Sequence, residues 1–210
     1  MEKLKPILIL VFCGILFGCN DGKVITYSLN EVTSVEDSIV YLKNDMTPIN
    51  GKVISKFGDI GLFENGKNTG EIKIYFENGD LKVSKDYIND STLRYKSWYE
   101  NNQLHKRGNY QNNLKTGEWI SWDKNGKPML KGEYNNGKEI GIHFSFIENK
   151  LLSKTYYDNF GNNYKYIYYP LNSTSSYSLP YDSIINIYDK GKILKTKFYK
   201  YGKIESELDK

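Results

Sequence analysis

The sequence predicts an all-β, single-domain antiparallel meander sheet built from hairpin repeats of about 23–24 residues. Three observations predict it. Composition is the first: the 210 residues include 19 Tyr and 18 Gly and no alanine at all. Alanine is the best helix former, whereas Tyr, Ile, Val and Thr fit a pleated surface and Gly and Asn serve turns. A helical bundle and a doubly wound α/β enzyme are both excluded on that ground. The second is a ruler of turn dipeptides, and the third is an apolar–polar alternation of period two between them. Hydrophobic residues make up 39% and charged residues 26%, which fits neither a disordered chain nor an integral membrane bundle.

The first element is an address. Lys3 and Lys5 precede an apolar run, Ile7 to Gly18, of twelve residues. A membrane-spanning helix needs about twenty, so the run has the length of a signal-peptide core. Its end, Leu16-Phe17-Gly18-Cys19, resembles the lipobox of bacterial lipoproteins. That resemblance implies a signal peptide over 1–18, lipid attachment at Cys19 and a location in the bacterial cell envelope. Cys13 would leave with the signal, so the remaining lone cysteine reads as an anchor and no intrachain disulfide is expected. Residues 19–34 are short and polar, and are expected to be a lipidated tether. Removing 1–18 leaves 27 basic and 24 acidic residues, a net charge near +3 that gives nucleic-acid binding no support.

The second element, 35–158, is the repeat. Asn78-Gly79, Asn101-Asn102, Asn125-Gly126 and Asn149-Lys150 are spaced by 23, 24 and 24 residues. Asn65-Gly66, Asn89-Asp90, Asn112-Asn113 and Asn136-Gly137 interleave with them at steps of 24, 23 and 24. Such pairs supply the positive φ that two-residue hairpin turns demand. One apolar face shows in Leu81, Val83, Tyr87, then Leu104, Gly108, Tyr110, then Leu130, Gly132, Tyr134. Between turns stand two further columns: Ile72, Tyr95, Trp119, His143, and three residues on Tyr75, Trp98, Trp122, Phe146. An odd spacing sends the two columns to opposite faces of a regular strand. Either a bulge intervenes or both faces carry apolar patches.

The last element, 159–210, is expected to be a proline-bounded loop, Pro170 to Pro180, followed by capping strands of the same domain. Lys190-Gly191 and Tyr201-Gly202 keep the half-period. Six lysines between Asp189 and Lys203 read as a lysine-studded terminal strand that blocks edge-to-edge pairing.

The period, with Gly117-Glu118-Trp119 and Gly132-Glu133-Tyr134-Asn135-Asn136-Gly137-Lys138, resembles the MORN repeat, and more closely the variant found in YwqK-type antitoxin-like lipoproteins. Arg94 and Lys85 depart from the pattern where glycine would stand. The resemblance implies a twisted meander and an interaction role, with an immunity-type partner or a scaffold as the two variants of it.

Chemistry-bearing patterns are absent. His105 and His143 are 38 residues apart without ligand spacing, so no metal and no cofactor is expected. There is no nucleophile elbow and no phosphate loop. Glu64, Glu77, Glu100, Glu118 and Glu133 fall at repeat positions, which reads as solvated strand ends and not as a unique catalytic pair. The expected function is therefore non-catalytic: a lipid-anchored envelope protein that binds another macromolecule. The candidate contact residues are Trp98, Trp122, Tyr75, Phe146 and Trp119. The partner expected is a protein, and a glycan stacked on exposed aromatics is the alternative. Aromatic columns also brace sheets, so burial decides between contact and glue.

Overall fold

A computed structural model describes residues 24–34, 39–170 and 182–209. Cys19, the expected signal peptide and most of the Pro170–Pro180 segment lie outside the described residues. Six short strands come first: β1 (Thr26–Ser28), β2 (Val32–Ser34), β3 (Val40–Leu42), β4 (Gly51–Ser55), β5 (Gly58–Glu64) and β6 (Lys67–Asn68). Twelve more follow: β7 (Glu71–Tyr75), β8 (Leu81–Asn89), β9 (Thr92–Trp98), β10 (Leu104–Gln111), β11 (Leu114–Trp122) and β12 (Pro128–Asn135), then β13 (Lys138–Ile147), β14 (Lys150–Tyr157), β15 (Asn163–Tyr168), β16 (Ser183–Asp189), β17 (Lys192–Lys200) and β18 (Lys203–Asp209). Strands β7 to β18 form one antiparallel sheet in sequence order, the predicted meander. The only helical turn among the described residues is a 3-10 turn at Leu29–Glu31.

Turn chemistry explains the order. Asn112-Asn113 and Asn136-Gly137 hold positive φ at both central positions, the twist that suits two-residue hairpins. Two predicted turns move by one residue. Asn89 ends β8, and its side chain accepts from the Ser91 and Thr92 amides (3.0 and 2.9 Å), so Asp90-Ser91 turns instead. Further on, Glu148-Asn149 adopts the positive φ values and Lys150 opens β14.

The N-terminal third corrects two expectations, the tether and the reach of the repeat sheet, since β3 to β6 lie in two small sheets of their own, outside the meander. Residues from Thr26 onward are not a tether: β1 runs parallel to β4, and β2 pairs with β3. Val32, Ile49, Val53 and Phe63 are buried together, with Ile72 of β7 packed against them. This small module covers the β7 edge, where the Thr69 amide donates to the Leu62 carbonyl (2.9 Å). The expected C-terminal strands are present and extend the same sheet by four, β15 to β18. The lysine-rich strand β17 is one position in from the edge, and the outermost strand β18 is acidic. Lys195 and Lys197 pair with Glu207 at 3.1 and 3.0 Å, so the acidic edge neutralises the basic strand.

The meander itself is one layer thick. Its rows of side chains bury against each other within a face, and Leu93, Trp119 and Ile167 are its buried apolar residues among those described.

Candidate functional site

Registers assign the two faces, since directly paired residues of antiparallel strands share a side. One face, termed here the ladder face, carries the Tyr95, Trp119 and His143 column. Two bulges build it. Gly108 of β10 stands opposite three residues of β11, Gly117 to Trp119, and Gly132 of β12 stands opposite Gly141 to His143 of β13. Gly117 and Gly141 take φ of 63° and 66°, which a side chain adopts only with strain. The bulge swings the Trp119 ring over Gly108 and the His143 ring over Gly132, so closely that a Cβ on either glycine would overlap the ring. Each ring then reaches the carbonyl ten residues back: Trp119 Nε1 donates to Asn109 O (3.1 Å), and His143 Nε2 lies 2.8 Å from Glu133 O. In the unit with Arg94 and Lys85, both glycines are missing together and Tyr95 pairs with Lys85 in regular register.

Between these rings sits a second column, Tyr110, Tyr134 and Tyr157. Ring centroids run Tyr95–Trp119 5.7 Å, Trp119–Tyr110 5.0 Å, Tyr134–His143 5.1 Å and His143–Tyr157 4.9 Å. Lys115 places its ammonium 4.8 Å above both the Trp119 and Tyr134 rings. Burial raises the Tyr110, Tyr134 and Tyr157 hydroxyls above the usual phenol range, and Glu139 adds to the rise at the latter two. Trp119 is only 7% exposed. It braces the sheet, which corrects its assignment as a contact residue.

The opposite, charged face carries the other predicted column. Tyr75, Trp98, Trp122 and Phe146 are each half-buried, so none projects freely. Tyr75 is engaged inside the protein, donating its hydroxyl to Asp59 O (2.9 Å) beside Phe57. It ties the N-terminal module to the sheet. Trp98 and Trp122 lie near one end of the strands. There Tyr99 donates to the Trp122 carbonyl (3.0 Å) and Asn101 to the Lys124 carbonyl (2.8 Å), bridging consecutive hairpins. The Arg107 guanidinium stands 5.7 Å from the Trp122 ring, and Phe146 stacks on Phe144 at 6.4 Å.

Glu118 and Glu133 are direct cross-strand partners on this face. Lys131 holds Glu118 at 2.7 Å and Arg107 approaches it at 3.8 Å. Glu118, Lys131, Glu133 and Ile142 line an open hollow. Near β7, Ser84 donates to Glu71 (2.7 Å), and this bond more than its burial sets the carboxyl below the usual range. His105 stacks on Tyr99 at 4.3 Å, and burial lowers its pKa. His143 faces the other side, so the two histidines do not converge. No cluster of three His, Cys, Asp or Glu side chains able to hold a metal occurs among the described residues.

Residues 68–89, 92–112 and 115–136 match the family model described as the MORN repeat variant. Three consecutive hairpins are thus MORN-like. The matched stretches cover β7–β8, β9–β10 and β11–β12, so one repeat is one hairpin. The next hairpin, β13–β14, keeps the Gly141–His143 bulge of the matched unit before it. A comparison with curated proteins gives no match.

Sequence reasoning missed the ladder as a unit. The signal was present: Gly108 and Trp119 are eleven residues apart, as are Gly132 and His143, and the two pairs repeat at 24.

Proposed function

We propose that this chain is a non-catalytic binding protein that holds another protein against the charged face of its repeat sheet. Repeats of this kind commonly serve as protein- or membrane-binding modules, which supports the reading. One observation carries it: the sheet is a single layer, and Trp98 and Trp122 stand half-exposed on its charged face, with Arg107 over the Trp122 ring. Trp and Arg are the residues most enriched at interface hot spots, and a rigid sheet presents them at low entropic cost. An anchor at Cys19 would hold that face near a bacterial envelope membrane, with the lipobox-like tetrad as its support; an immunity-type role rests on the family resemblance alone.

Cross-linking and capture from native envelopes tests the reading, with the lipidated wild type, Trp98→Ala and Trp122→Ala run in parallel. A protein partner lost from both variants while melting changes little supports it, since hot-spot truncation costs 2 kcal/mol or more, roughly thirtyfold in affinity. Recovery of envelope glycan in place of protein, or early melting of both variants with capture intact, defeats it. Fractionation of Cys19→Ser tests the anchor separately: a variant as membrane-bound as the parent ends that part.

A further inference from the structure

The charged face holds a cross-strand row rich in cations that the sheet's own carboxylates balance only in part. Direct cross-strand pairing links Lys96 to Arg107, Arg107 to Ile120, Ile120 to Lys131, Lys131 to Phe144 and Phe144 to Lys154. Strands are spaced by about 4.8 Å, so the four cations span about 24 Å across the sheet. Lys96 and Arg107 face each other directly, an arrangement that destabilises a sheet on its own. Among the described residues, neither Lys96 nor Lys154 has a carboxylate within ion-pair distance, and Arg107 shares Glu118 with Lys131. The row is flanked on one side by the aromatic band of Trp98 and Trp122. On its other side run Asp86, which Arg94 neutralises at 3.2 Å, and the neighbouring carboxylates Glu118 and Glu133.

Resting on the protein-binding reading above, we propose that this row is a docking track for an acidic segment of a partner protein that also carries apolar side chains. The segment crosses the strands with its carboxylates over Lys96, Arg107, Lys131 and Lys154 and its apolar groups against Trp98 and Trp122. Charge complementarity sets the acidic character. The adjacent carboxylate pair sets the protein class: a continuous anionic surface such as a membrane would meet Glu118 and Glu133 as well, whereas a chain with one line of charge avoids them. Arg107 rests over Trp122, and Lys154 lies 5.8 Å from the Phe144 centroid and 6.0 Å from that of Tyr169, so rings and cations are interleaved along the row.

The probe is a labelled peptide repeating Glu-Leu-Glu-Phe, long enough to span the row, titrated against the full chain while tryptophan emission is recorded. Vesicles of phosphatidylcholine with phosphatidylserine form a second arm. The double variant Lys96→Glu/Lys154→Glu is compared with Lys192→Glu/Lys203→Glu, which changes charge equally but outside the row; Lys96→Gln/Lys154→Gln serves if the first variant folds poorly. Expected is peptide binding that shifts tryptophan emission and weakens about tenfold or more in the row variant, with the control within about twofold. Absence of peptide binding, equal loss in both variants, or vesicle binding that depends on the same row overturns the proposal. If the native partner is lost from Trp122→Ala but kept by Lys96→Glu/Lys154→Glu, the track is wrong and the protein-binding reading survives. If both variants keep it, the reading itself fails.

Discussion

Replacing Gly108 by Ala tests whether the ladder, and not the strand pairing alone, holds the middle of the sheet. A Cβ at Gly108 would fall within the Trp119 ring, so the indole must leave its place. Displacement breaks the Trp119 Nε1 bond to Asn109 O, about 1 kcal/mol net, and separates two close ring pairs, at about 0.5–1.5 kcal/mol each. Alanine is better than glycine in a strand by about 0.5–1 kcal/mol, which offsets part of this loss. The expected net destabilisation is about 2 kcal/mol. Gly70 is the control, because a Cβ there meets nothing within 4 Å and its φ is not positive. Gly70→Ala should therefore be neutral or slightly stabilising. Urea titration followed by tryptophan emission and far-UV circular dichroism measures both. If Gly108→Ala falls within about 0.5 kcal/mol of the wild type, the ring packing is incidental and the ladder does not brace the sheet.

Other consequences follow from the same geometry. His143 occupies the place that Trp119 holds one unit earlier, so His143→Trp should keep or raise stability while His143→Ala lowers it by roughly 1–3 kcal/mol, read in the same titrations. Gly126→Val puts a branched side chain at φ 79° and its Cβ 2.9 Å from Gln103 Oε1; amide exchange should rise first in β11 and β12, and uniform loss across all hairpins would contradict local additivity. The Tyr110, Tyr134 and Tyr157 hydroxyls have folded pKa values raised above the unfolded value near 10. A raised value gives stability that is fully present below pH about 10 and is lost as pH climbs through the folded range. Melting temperature should accordingly fall with pH only above about 10, more gently in Tyr134→Phe, and a flat profile there would count against buried tyrosines.

Strand and turn positions were legible because their causes are local. An Asn-Gly pair needs no distant partner to favour positive φ, and alternation of period two is written within each strand. The one-residue shifts at Asn89 and Asn149 have the same local scale: Asn89 uses its side chain to cap a turn instead of forming it. Which aromatic column is buried was not legible in that way. Burial of Trp119 depends on Gly108 in the neighbouring strand and on a bulge at Gly117, and a side chain's surroundings are a property of the register, not of its own spacing. Trp98 and Trp122 share the repeat period with Trp119 yet sit on the opposite face beside Arg107. The parallel pairing of β1 with β4 was equally hidden, since three-residue strands carry too little pattern and their contacts span more than twenty residues. Sequence alone thus determined the hairpin array, through backbone preferences that act within a few residues. Tertiary structure alone decided which rings became glue, which face stayed open and where the cations lined up, because those outcomes depend on groups brought together only when strands pair.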